Sequence, residues 1–240
     1  MSISVEILLV FGVLGFYLHD SACLLYRNEV IFSEYGHEWR GTTGSSLLMR
    51  GRYLFLPNPM TPYIATFRSH WRMDGHGEEA EQLSCVKHFL WALWPLRAGC
   101  LVVWVLLLVV LPALLFLDAS PLTLLALLAL VYASVLAMVS WIFRHRKVME
   151  LSGRQVFLLA LDGLVCPPNA INLARKVAMQ RGIAGDAFSI ADVVLQGNAR
   201  ARLRRELEER IAVTADFAEQ GSAEMIGLEV SRRRLGEWAP

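Results

Sequence analysis

AGCLVVWVLLLVVLPALLFL (Ala98–Leu117), DAS (Asp118–Ser120) and PLTLLALLALVYASVLAMVSWIF (Pro121–Phe143) are the stretch that decides how this chain is read. Neither long run carries a charged side chain, and each reaches the roughly 20 apolar residues that a helix needs to cross about 30 Å of hydrocarbon. The three residues between them predict a tight helical hairpin. Pro121 suits the first turn of a helix, where its missing N–H costs nothing. Pro112 lies inside the first run and predicts a kink there.

Working outward, Ile3–Leu18 is a third apolar run, which would take in His19 and Asp20 if the helix continued to Tyr26. Ionisable residues inside a span are costly and by default suggest function. Ending the span at Leu18 leaves the pair among headgroups, and that reading is preferred. The start Met1–Glu6 holds no Lys or Arg, so the run is expected to be an uncleaved anchor rather than a signal peptide.

Composition agrees with this start. Of 240 residues 55% are hydrophobic and only 19% charged, with a mean hydropathy of +0.42. Soluble domains average about 45–50% apolar and about 25% charged. An ordinary soluble domain, a disordered chain and a disulfide-stapled mini-protein are excluded. Three spans also enclose too little to make a transporter without partners. The net charge of +1 gives no bulk attraction to nucleic acid. Cys23, Cys85, Cys100 and Cys166 form no CxxC pair and read as free thiols.

Lys and Arg orient the chain. None lies in residues 1–18 or in the 118–120 turn, eight lie in 19–97, and the other fifteen lie from Arg144 onward. The positive-inside rule then expects the N-terminus outside, 19–97 inside, the hairpin turn outside and the C-terminal region inside. Arg144, Arg146 and Lys147 form a stop-transfer anchor at anionic headgroups. With Trp91, Trp94 and Arg97, they are the expected membrane-interface residues.

The fold class expected is a mainly α integral membrane protein. It has three transmembrane helices, a small β-containing cytosolic element and a helical cytosolic C-terminal region. Residues 1–26 would be the anchor, 27–84 a cytosolic segment with short strands and a Pro-rich turn, 85–97 an interfacial helix bent at Pro95, 98–143 the transmembrane hairpin, and 144–240 the cytosolic helical region. Strands are expected at Glu29–Ser33, Arg52–Leu56 and Tyr63–Phe67, with a loop at Gly41–Ser46. Pro57, Pro59 and Pro62 forbid a helix or central strand between the last two strands. Rigid turn chemistry explains them better than a docking groove does.

In the C-terminal region Gln155–Val165 is apolar but for Asp162, and too short to span. Asn169 would cap a helix over Ala170–Arg181 that Gly182 ends. Ser189 would cap the next helix. A third would run over Ala199–Glu219 and a last over Glu224–Leu235. The mixed Arg and Glu of the third helix read as a solvated face.

One spacing carries possible metal chemistry. His70, His76, Cys85 and His88 form H-x5-H-x8-C-x2-H, and imidazole with thiolate is a donor set that zinc prefers. The spacing matches no common zinc ribbon or finger, so the preferred reading is a polar loop entering a helix, with no cofactor. No phosphate-binding glycine loop, GxSxG or HExxH occurs. The expected function is therefore a non-catalytic accessory, scaffold or regulatory subunit of a membrane assembly, in a bacterial inner membrane. Its partners would be the lipid bilayer and another protein or further copies of itself. A metal-dependent or redox enzyme using the four His and Cys residues is the alternative, and an oligomeric channel a third reading.

Overall fold

The computed structural model describes residues 5–36, 38–71, 80–216 and 222–238. It is mostly helical with a small β component, and it forms two compact units. The first unit takes in Met1–Ala22, Pro57–Ala65 and His88–Arg181; the second takes in Cys23–Leu56, Thr66–Lys87 and Gly182–Pro240.

The first unit is built on long apolar helices. Helix α1 covers Val5–Ser21. A second rod runs from α2 (Leu83–Val105) through a π-helical turn (Leu106–Val110) to α3 (Leu111–Phe116). The π turn has a local cause. Pro112 has no N–H to give, and its ring displaces the carbonyl four residues back. The preceding N–H, that of Leu111, reaches Leu106 O, one residue farther than an α-helix allows. Helix α4 (Pro121–His145) begins at Ser120, whose hydroxyl accepts from the Thr123 N–H. Its buried stripe is Leu127, Val131, Val135, Met138 and Ile142, at three- and four-residue spacing. The segments Leu83–Phe116 and Pro121–His145 are long and apolar enough to cross a membrane.

The chain then turns back. Ser152 and Gln155 form a reciprocal capping box for α5 (Gly153–Val165). Helix α6 (Pro167–Ala170) is a single turn, and α7 (Leu173–Arg181) stops before Gly182, whose φ of +67° suits a residue without a Cβ.

The second unit holds two three-stranded sheets. Strands β1 (Cys23–Leu25), β5 (Arg52–Phe55) and β4 (Leu48–Met49) lie in the order β1-β5-β4; β3 (Glu38–Thr42), β2 (Glu29–Tyr35) and β6 (Ala65–His70) lie in the order β3-β2-β6. Around them are α8 (Ala187–Val194), α9 (Gly197–Ala215) and α10 (Ala223–Glu237). Gly41 in β3 admits α9: a Cβ there would come within 2.7 Å of a Leu203 methyl.

Several expectations need correcting. The first apolar run does not continue to Tyr26 as a helix. Its tail becomes β1, because Cys23, Leu24 and Leu25 pair with Phe55, Leu54 and Tyr53. Residues 85–97 are not a separate helix: α2 runs through Pro95 as one element, and a π-helical turn precedes Pro112. The third strand is displaced to β6, and β1, β3 and β4 were not foreseen. Neither Asn169 nor Ser189 is a cap. Asn169 lies inside α6 and donates to Asp162, while Ser189 lies inside α8, which Asp186 precedes.

Candidate functional site

The buried polar centre of the first unit lies where α1, α7 and the Pro57–Thr61 loop meet. The last turn of α1 places Tyr17, Asp20 and Ser21 on one face, at spacings of three and four residues. The same spacing brings Asn172, Arg175 and Lys176 together at the start of α7. Tyr17 is fully buried, and Asn172 and Arg175 are each 2% exposed.

Asn172 ties the centre together. Its carbonyl oxygen accepts from the Ser21 hydroxyl at 3.1 Å and from Arg175 Nη1 at 3.0 Å. Its amide nitrogen donates to Asp20 Oδ2 at 2.9 Å and to the Tyr17 backbone carbonyl at 3.4 Å. Lys176 Nζ sits between two carboxylates, 2.6 Å from Asp20 Oδ1 and in an ion pair with Asp162. Asp162 also accepts from Asn169 Nδ2 at 2.8 Å. The formal charges of Asp20, Asp162, Arg175 and Lys176 cancel.

The proline-rich loop completes the centre from the other side. Proline removes a backbone donor but keeps its carbonyl, so such a loop carries surplus acceptors. Arg175 Nη2 donates to the carbonyls of Asn58 at 2.8 Å and Thr61 at 2.6 Å. The Pro59 carbonyl takes the Tyr17 hydroxyl at 2.7 Å and the Trp104 indole N–H at 3.2 Å. Asn58 Oδ1 accepts from the Met60 N–H at 2.9 Å, a local side-chain bond that shapes the arch.

The second unit has its own anchored cation. Arg210 on α9 is 7% exposed, donates to the Thr43 carbonyl at 3.0 Å and lies over the Tyr53 ring. Burial pulls its pKa below the ordinary guanidinium value, against the charges of Tyr53, Glu209 and Glu206. Glu206 accepts from the Thr42 hydroxyl at 2.8 Å and the Thr43 N–H at 3.0 Å. Burial pushes the Cys23 thiol up from its usual range; Arg68 opposes the shift and Glu29 adds to it.

His70 ends β6 and is exposed; Cys85 and His88 are exposed on α2, where His88 stacks on Trp91. His76 lies outside the described residues. Among the described residues no three His, Cys, Asp or Glu side chains are grouped to hold a metal. Trp91, Trp94, Arg144 and Lys147 are exposed. Arg97 Nε donates to the Tyr63 carbonyl at 2.6 Å, and the Arg146 guanidinium lies over the Phe143 ring. His19 and Asp20 lie in the last turn of α1, and Asp20 is the one drawn into the centre.

Sequence reading missed Asn172, Arg175 and Lys176. Their signal was a polar i, i+3, i+4 stripe at residues 172, 175 and 176, with Asp20 at the end of one apolar run and Asp162 the lone carboxylate of another. No family model, curated protein or solved structure matches the chain.

Proposed function

We propose that this chain is a three-span integral membrane protein with its N-terminus outside, serving as a non-catalytic accessory, scaffold or regulatory subunit of a membrane assembly. The spans are α1, the α2–α3 rod and α4, in a bacterial inner membrane, with lipid and another protein as partners. One observation carries the non-catalytic part. The polar centre around Asn172 spends its donors and acceptors on its own members, the buried Arg175 Nε excepted, and its formal charges cancel, which suits a lock between segments. The membrane part draws support from α4, where Leu122, Leu125, Leu128, Leu130, Leu136 and Phe143 are exposed around a narrow buried stripe. A helix apolar on all sides fits a lipid surrounding.

Purification of the tagged chain from its native host in mild detergent, with mass spectrometry of what accompanies it, tests the proposal. A stoichiometric partner is expected. A single clean species in several detergents would overturn the subunit reading. Stoichiometric zinc in the same preparation, lost in a His76→Ala/Cys85→Ala variant, would replace it with the metal-dependent alternative.

A further inference from the structure

We propose that α5, α6 and α7 form a re-entrant hairpin, entering one leaflet and returning to the face they came from, with Phe157, Leu158, Leu161 and Val165 against lipid acyl chains. The inference rests on the reading of α4 as a membrane span.

The path of the chain is the first argument. Helix α5 folds back along α4 and meets it closely at Gly163, where a Cβ would lie 3.4 Å from Val135 Cγ1. Val135 is ten residues before His145, about 15 Å along the helix axis at 1.5 Å per residue. The tip packs on Cys100, inside the Ala98–Leu117 run: the thiol donates to the Ala170 carbonyl at 3.5 Å and accepts from the Ala174 N–H at 3.4 Å. The open end is closed by Arg181 and Glu150, 3.2 Å apart. A path in, a break at Cys166–Pro168 and a path back are thus set by packing within one unit.

The second argument is what α5 exposes. Its inner stripe, Val156, Leu159 and Gly163, is buried. The opposite stripe is also apolar, with Phe157 64%, Leu158 50%, Leu161 48% and Val165 73% exposed. Water is a poor neighbour for such a stripe, whereas acyl chains are a good one. Arg144, Lys147 and Arg154 are exposed near the open end, where anionic headgroups would lie.

The third argument is backbone bookkeeping at the tip. Hydrocarbon tolerates broken helices only where the freed polar groups find partners inside the protein. Pro167 and Pro168 have no N–H to satisfy. The N–H groups of Cys166, Asn169, Ile171 and Asn172 bond to the carbonyls of Asp162, Cys166, Pro168 and Asn169. Asp162, the one carboxylate on α5, is paired with Lys176, and the helix's other charge, Arg154, lies in its first turn at the open end. This tip is built for an environment without water.

The unaltered full chain tests the proposal in lipid nanodiscs, labelled with a lipid-partitioned aryl diazirine and, in parallel, with a water-soluble carbene source. Labelled positions are mapped by peptide mass spectrometry. Expected is lipid-phase label on Phe157, Leu158, Leu161 and Val165 together with the outward side chains of α4. Label on α4 but not on the α5 stripe overturns the hairpin and leaves the span reading standing, whether the stripe takes the water-soluble reagent or neither. Lipid-phase label on neither helix overturns both.

Discussion

Asn172 is the residue on which the first unit turns. Four groups depend on its amide: the Ser21 hydroxyl, Arg175, Asp20 and the Tyr17 carbonyl. Asn172→Ala takes one buried bond from each, while Ser21 keeps the Tyr17 carbonyl, Asp20 keeps Lys176 and Arg175 keeps the loop carbonyls; each lost bond is worth about 0.5–1.5 kcal/mol, more to a charged group. The expected loss is about 2–4 kcal/mol, read as a lowered Tm in mild detergent; an unchanged Tm contradicts the keystone role. Cys23 gives a second expectation. Burial raises its pKa, so at the pH where a free thiol begins to ionise a smaller fraction of Cys23 is thiolate. Its alkylation rate in the native protein should keep climbing above the pH at which an unfolded thiol has levelled off. Because the folded state holds that proton more tightly, the linked stability is intact below the unfolded pKa and declines as pH rises through the folded one. A rate profile for Cys23 that overlays the unfolded one removes the burial argument.

Elements are held together by small residues and by what proline omits. A Cβ on Gly99 would lie 2.6 Å from the Cγ and Sδ atoms of Met138, so α2 and α4 approach through the missing side chain. Gly99→Val is expected to cost about 1–3 kcal/mol by overpacking. Met138→Ala added to it should recover most of that loss, because the obstacle is one flexible side chain. Equal stability of the single and double variants would mean the clash is relieved elsewhere. The Pro57–Pro62 loop shows the same economy: without proline N–H groups, its carbonyls are left for Tyr17, Trp104 and Arg175. Its rigidity was legible from three prolines in six residues. Its three partners were not, because they lie 42 or more residues away in sequence.

At the scale of the whole molecule, the proposed topology makes one direct demand. Cys85, exposed at the start of α2, and a cysteine placed at Ala119 in the 118–120 turn must face opposite sides of the membrane. An impermeant maleimide added to sealed vesicles of one orientation should label one and spare the other until detergent is added. Labelling of both from one side would sink the three-span arrangement. The same vesicles report the sign of the positive-inside reading, because Cys85 should be the protected site in right-side-out preparations.

Composition and run length by themselves determined the long helices, since uninterrupted apolar runs such as Ala98–Leu117 and Pro121–Phe143 have few other ways to satisfy their backbone. Caps were less legible: Ser120 and Ser222 each answer one nearby N–H, whereas Asn169 and Ser189, expected as caps, lie inside helices. Tertiary structure alone decided that Cys23–Leu25 is a strand, because that choice belongs to its partner Tyr53–Phe55. It alone brought Asp20, Asp162 and Lys176 together and folded α5 back on α4. Those outcomes depend on groups up to 156 positions apart, and local propensity carries no information about which distant charge will arrive to pair a buried one.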